Sequence, residues 1–186
     1  FGPRGLPGCS MDGRLPAACD ADGRLSRGAA LILADQALAC GIYAALARPM
    51  PMMTLDLRLD WHGLLPAARE VGFGTTRVVI EGALVFVEGE LLADGVVVAS
   101  GSGRFLTGSM PGGGQGGGEE PVSFGASDES AFEGLLGLLA DGDGWRVEPD
   151  ARLVGARSLP AYHGGFIAAL MDAACSRLAP GHRAVD

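Results

Sequence analysis

The chain has 186 residues, a net charge of −8, and 48% hydrophobic against 19% charged residues, enough for one sizeable domain, or one and a fraction, around a substantial core. All 14 basic side chains are Arg and they form no basic run, so a nucleic-acid partner is not expected. No uninterrupted apolar run reaches transmembrane length and no signal peptide is visible, so neither a membrane partner nor export is expected, although the chain begins at Phe1 rather than Met.

Residues 1–25 are rich in Gly, Pro and Asp and read as a loop with at most one poor strand. Gly28 to Leu46 is apolar on all sides, which predicts a buried helix with Asp35 as its only charge. Ser26 is a plausible N-cap, and Pro49 closes the far end. From Met53 to Trp61 the alternation is strict, apolar on odd numbers and polar on even ones, which predicts a strand with one buried face. Residues 69–80, 83–92 and 96–106 read as three more strands, with Asp94-Gly95 as a hairpin turn. A helix followed by about four antiparallel strands predicts an α+β unit in which the helix covers the apolar face of the sheet.

Residues 108–130 change character. The run Gly112-Gly113-Gly114-Gln115-Gly116-Gly117-Gly118 reads as a linker, and it lacks the Gly-Lys-Ser/Thr ending of a phosphate loop. After it, Ala131 to Ala140 reads as a short helix, residues 141–144 as a turn, and Trp145 to Ala156 as a strand.

Then comes Tyr162-His163-Gly164-Gly165-Phe166, opening a second apolar helix with one carboxylate, Asp172, eight residues after Gly164. Glycine at a helix start admits a ligand close to the backbone, and the first N–H groups of a helix can hold a developing oxyanion. Eight residues is about two turns, so Gly164 and Asp172 are expected to flank one space on nearly the same face.

Superimposing Asp35 on Asp172 lays Ser26-Arg27-Gly28 over His163-Gly164-Gly165, and, with seven residues dropped, Thr54 over Ala184. Sought first because it decides architecture, this repeat predicts a complete unit over 1–107, a linker over 108–130, and the N-terminal part of a second unit over 131–186. The cysteines Cys9, Cys19, Cys40 and Cys175 have no Cys-x-x-Cys spacing, Cys40 and Cys175 fall within apolar helices, and the expectation is buried free thiols in a reducing, cytoplasmic setting. His62, His163 and His182 are scattered, so no metal site is expected; His62 reads as a surface residue.

The His-Gly-Gly start and the spaced carboxylate resemble the hot-dog acyl-CoA thioesterases of the phenylacetate-pathway type, over roughly 24–107 and 145–186. The resemblance implies an antiparallel sheet wrapped around a long central helix, here followed by a partial second copy. It also implies pairing of two such units, or a homo-oligomer, with each site between units. The implied reaction is hydrolysis of an acyl-CoA thioester without a cofactor. In that reading Asp172 is the base, Gly164 N–H polarises the carbonyl, His163 orients the turn, and Thr54, from the strand after the other helix, holds the water. Gly165 and Arg157 would contact the substrate; Arg157 stands where the family often has Asn, six residues before the His. Asp35, preceded by Ser26-Arg27 rather than His-Gly, would mark a degenerate site. The alternative is a non-catalytic acyl-CoA-binding or scaffolding module. A hot-dog hydratase needs Asp followed five residues later by His, and a serine hydrolase needs a Gly-x-Ser-x-Gly elbow; neither is present.

Overall fold

In a computed structural model, the structure describes residues 7–48, 50–108, 132–148, 154–156 and 159–178. Its centre is helix α1 (Arg27–Leu46), capped at Ser26, whose Oγ accepts from Ala29 N at 3.5 Å. The helix stops at Ala47, which takes a left-handed conformation. Pro49, the expected stop, lies outside the described residues.

Strands β2 (Met52–Trp61), β3 (Glu70–Glu81), β4 (Leu84–Ala93) and β5 (Val96–Thr107) follow, all antiparallel and within a residue of the expected bounds. Asp94 and Gly95 both have positive φ, as a tight hairpin turn requires. The Asp94 carboxylate accepts from the backbone N–H groups of Arg69 and Glu70, which fixes where β3 begins. The poor strand expected near the N-terminus is β1 (Gly8–Asp12), paired with β3. The sheet order is β1-β3-β4-β5-β2, so β1 and β2 are its two edges.

The sheet curls around α1. Ala30, Ala34, Ala37, Leu38 and Ile42 of the helix meet Phe73, Val85, Val87, Leu91 and Phe105 in one core. Each large apolar side chain buried there contributes about 1.5–3 kcal/mol. Among the described helices α1 is long and apolar enough to cross a membrane by length and composition, but here its faces are spent on the sheet and on a neighbouring helix. A helix wrapped in this way by a curled antiparallel sheet is the hot-dog fold, of the α+β class.

Two expectations about local structure are corrected. The alternation of β2 does not run unbroken. Met53 is 37% and Leu55 48% exposed, whereas Thr54 turns inward and Leu59 is buried. The cause is a bulge: Thr54 pairs with Phe105 and Asp56 with Arg104, leaving Leu55 as an extra residue. Before the bulge even numbers face the helix; after it odd numbers do. Second, Ala131 to Ala140 is not one helix. Helix α2 (Phe132–Leu135) is a single turn, Gly137 has a positive φ, and β6 (Leu138–Asp141) pairs with β7 (Gly144–Val147) across the expected turn. The leucines of this stretch suit either state, and Gly137, in the left-handed region, ends the helix.

The strand expected over 145–156 is divided between β7 and β8 (Val154–Ala156), with residues 149–153 outside the described set; β8 pairs with β9 (Leu159–Tyr162). The Gly-rich stretch over 109–131 also lies outside it. Helix α3 (Gly164–Leu178) then packs along α1. Phe132, Leu136, Phe166, Ala169 and Ala173 form a second, smaller core with Ala29 of α1.

Candidate active site

Helices α1 and α3 run antiparallel. The start of α3 meets the middle of α1 at Gly165 and Asp35, and the start of α1 meets the middle of α3 at Arg27 and Asp172. Two glycines permit this approach. A Cβ at Gly165 would lie 2.7 Å from Ile32 Cα and 2.8 Å from Leu31 O, and one at Gly164 would lie 2.5 Å from Thr54 Oγ1 and 3.1 Å from Asp35 Oδ2. Any larger residue at either position forces the helices or the site apart.

The Asp35 side chain is only 4% exposed. Burying a carboxylate is costly unless its oxygens are satisfied. Here Thr54 Oγ1 donates to Oδ1 at 2.9 Å, and Gly165 N donates to Oδ2 at 2.9 Å. Asp35 therefore caps α3 from outside that helix, against the partial positive charge of its N-terminus. His163 Nδ1 lies 3.2 Å from the same Oδ2, without the direction of a hydrogen bond. Its Nε2 lies 3.3 Å from Gln36 Oε1. His163 is partly exposed and Gln36 exposed, so the site opens to solvent on their side. The bulge at Leu55 is what turns Thr54 inward towards Asp35.

The expected approach of Asp172 to Thr54 is corrected by this arrangement. Thr54 serves Asp35, and Asp172 faces the other way, its Oδ1 3.4 Å from Arg27 Nη2. The Arg27 guanidinium also stacks 4.9 Å over the Trp61 ring. Together these groups line a cleft of about 550 Å³ that also carries Arg24, Leu65, Phe132 and Ala173. The reason is helix geometry. Eight residues along one helix rise about 12 Å, too far for the N–H at the start and the carboxylate to share one reacting atom. In an antiparallel pair, each helix start faces the carboxylate of the other helix. Asp35, expected to mark the degenerate position, therefore stands against the His-Gly-Gly start. Arg27, at the start of α1, faces Asp172, as Gly164, at the start of α3, faces Asp35.

Gln36 went unnoticed in the sequence. The signal was a polar side chain in an otherwise apolar helix, which marks the side left uncovered. Arg157 and His182 lie outside the described residues. His62 is exposed, with Nε2 3.0 Å from Ser100 Oγ, remote from this cluster. Among the described residues, no three His, Cys, Asp or Glu side chains converge as metal ligands would.

No family model matches the chain, and no curated protein matches it. Several solved structures are similar to about half of it. A mutant of the phenylacetic acid degradation protein PaaI from Thermus thermophilus is 22% identical, with a TM-score of 0.46, over 53% of this chain and 82% of that one. The conserved protein PA5202 from Pseudomonas aeruginosa is 21% identical, with a TM-score of 0.48, over 54% and 78%. The BH2602 protein from Bacillus halodurans, solved with CoA, is 19% identical, with a TM-score of 0.49, over 54% and 66%.

Proposed function

We propose that the chain hydrolyses an acyl-CoA thioester at the cluster of Asp35, Thr54, His163 and Gly164. The observation that carries this reading is the convergence of a buried carboxylate, a hydroxyl and the Gly-Gly start of a helix beneath the partly exposed His163. Asp35 serves as general base: it takes a proton from water as the water oxygen attacks the thioester carbon. Gly165 N–H is already committed to Asp35, so Gly164 N–H is the donor for the carbonyl oxygen as it becomes negative. The C–S bond then breaks, and the proton passes from Asp35 to the departing CoA sulfur. Thr54 fixes the carboxylate and the water, and His163 shapes the approach. Asp172 takes no part, because a permanent cation holds it.

The same reading makes α3 the central helix of a second unit that begins at residue 131, with residues 1–107 as the first unit, 108–130 as the linker, and the site at the seam. A cytoplasmic setting, pairing of two units, and the absence of a cofactor go with it. A second reading is a non-catalytic acyl-CoA-binding module. It is favoured by the satisfaction of both Asp35 oxygens, which a purely structural cap would also show.

The test is a panel of acyl-CoA thioesters incubated with the full chain while released thiol is followed. Thiol release that disappears in Asp35→Asn and persists in Asp172→Asn supports hydrolysis at this site. Saturable binding of acyl-CoA with no thiol release by the folded protein supports the binding module instead.

A further inference from the structure

β1 and α1 bring together two thiols that the proposed chemistry does not use. Cys9 Sγ, on β1, lies 3.7 Å from Cys40 Sγ, on α1, and both residues are partly buried. The other two cysteines are placed apart: Cys19 Sγ donates to Gly13 O at 3.2 Å, and Cys175, expected to be buried, is exposed on the outer side of α3. Gln36 sits one turn before Cys40 on the same face of α1. Its Nε2 lies 3.6 Å from Cys40 Sγ, and its Oε1 lies 3.3 Å from His163 Nε2. A continuous line of contacts thus runs from the thiol pair through one amide to the imidazole beside Asp35.

We propose that Cys9 and Cys40 form a reversible intramolecular disulfide whose state is passed to His163 through Gln36. A disulfide requires the sulfurs to close by roughly 1.7 Å. β1 is an edge strand held on one side by β3, so it has the freedom to make that move. Once bonded, the Cys40 sulfur is drawn towards Cys9 and away from the Gln36 amide. Gln36 then loses one of its two anchors, and His163 loses a fixed partner. Disulfides of this kind in a cytosolic setting are as a rule transient and redox-sensing.

The chemistry is thiol–disulfide exchange with a small oxidised disulfide such as oxidised glutathione. One protein thiolate attacks a sulfur of the oxidant and expels one reduced small thiol, leaving a mixed disulfide. The second protein thiolate attacks the protein sulfur of that mixed disulfide and expels the other. Two electrons pass from the cysteines to the oxidant, and the two protein protons end on the two small thiols. Burial, with Cys40 beside it, pushes the Cys9 thiol up to about 11. Little Cys9 is therefore thiolate at neutral pH, and exchange that needs it quickens as the solution is made alkaline.

The full chain is incubated with oxidised glutathione, alkylated, and examined by thiol titration after denaturation, by peptide mapping and by NMR of 13C-labelled His. The expected results are a fall from the four free thiols to two, a linked Cys9–Cys40 peptide about 2 Da lighter than the reduced pair, and a moved His163 Cε1–H signal. Dithiothreitol should restore all three. Cys9→Ser and, separately, Cys40→Ala should abolish the link, and Gln36→Ala should keep the link while losing the His163 response. Four thiols persisting in the wild type, a link through Cys19 or Cys175, or an unmoved His163 signal in the linked protein would overturn the proposal. None of these readouts depends on thioester turnover, so this inference and the proposed activity stand or fall separately.

Discussion

Thr54 Oγ1 donates to Asp35 Oδ1 across 2.9 Å, joining the first residues of β2 to the middle of the helix before it. The contact exists because Leu55 is bulged out of the ladder. Without an extra residue there, the face that carries Leu57 and Leu59 into the core would put position 54 on the outside.

Substitutions at the two carboxylates should separate catalysis from structure. In Asp35→Asn, the amide oxygen can still take the Gly165 N–H while its nitrogen donates to Thr54, so folding should persist. Turnover should fall by about 10²–10⁴-fold, the usual worth of general-base help. Asp35→Ala orphans a buried N–H and should cost about 1–3 kcal/mol of stability as well. Asp172→Asn should leave turnover nearly unchanged. Rates of thiol release and denaturant melts on the four proteins check all of this; equal kinetic losses at both positions would mean two working sites.

The two glycines should differ in what they disturb. At Gly165 an added Cβ meets backbone atoms of Ile32 and Leu31, which cannot step aside. Gly165→Ala should therefore cost about 1–3 kcal/mol through overpacking. At Gly164 the nearest obstacle is the Thr54 side chain, which can rotate. Gly164→Ala should retain more stability but lose the Thr54–Asp35 contact and most activity. Melting curves and turnover measured on both variants make the comparison.

Within β2, the register makes a prediction against the simple alternation. Leu59→Ala should cost about 2–5 kcal/mol, as deep core truncations do. Leu55→Ala, at an exposed bulge, should cost less than about 1 kcal/mol. Urea midpoints would show it, and equal costs would mean that Leu55 is buried.

The Arg27–Asp172 pair should show coupling. Both side chains are about four-fifths buried, at 22% and 18% exposure. Removing one partner leaves the other charge poorly solvated, so Arg27→Ala and Asp172→Ala should each destabilise. The double variant should lose less than their sum, with a coupling of about 0.5–3 kcal/mol. A cycle that closes additively would mean that the pair is incidental.

Alkaline pH should weaken the fold through Cys9. Its folded-state value, about 11, lies above the ordinary thiol value of 9.0. The folded protein thus holds a proton that the unfolded chain releases, so this contribution is whole below pH 9.0 and is lost as pH rises towards about 11. Melting temperature should fall across that window and should fall less in Cys9→Ala.

The sheet and its central helix were legible because their signals are local. An all-apolar run with a Ser cap, alternating strands and an Asp-Gly turn each point to one state. The bulge was not legible, since Met53 and Leu55 look as apolar as Leu57 and Leu59, and only the pairing with β5 shows which are inside. The short hairpin of β6 and β7 was hidden by leucines that suit a helix equally well. For the candidate site, the residues that the structure brings together were each readable as types: an acid in an apolar helix, His-Gly-Gly, and Thr54. Their partnership was not, because it depends on the relative direction of two helices more than a hundred residues apart. Read along one helix, Gly164 points to Asp172. Folded against its antiparallel neighbour, it meets Asp35.

The cap that Asp35 places on α3 has a consequence for how heat should stop this protein. The carboxylate and the helix start that it faces come from distant parts of the chain and are joined through a small core built on Phe132, Phe166 and Ala173. That core is far smaller than the one inside the curled sheet. Warming should therefore undock α3 before the sheet melts, so thermal inactivation should run ahead of the loss of β-sheet circular dichroism. The protein would then pass through a temperature interval in which it is largely folded and catalytically silent, and cooling from that interval should return full activity without the slow steps of refolding a β-sheet.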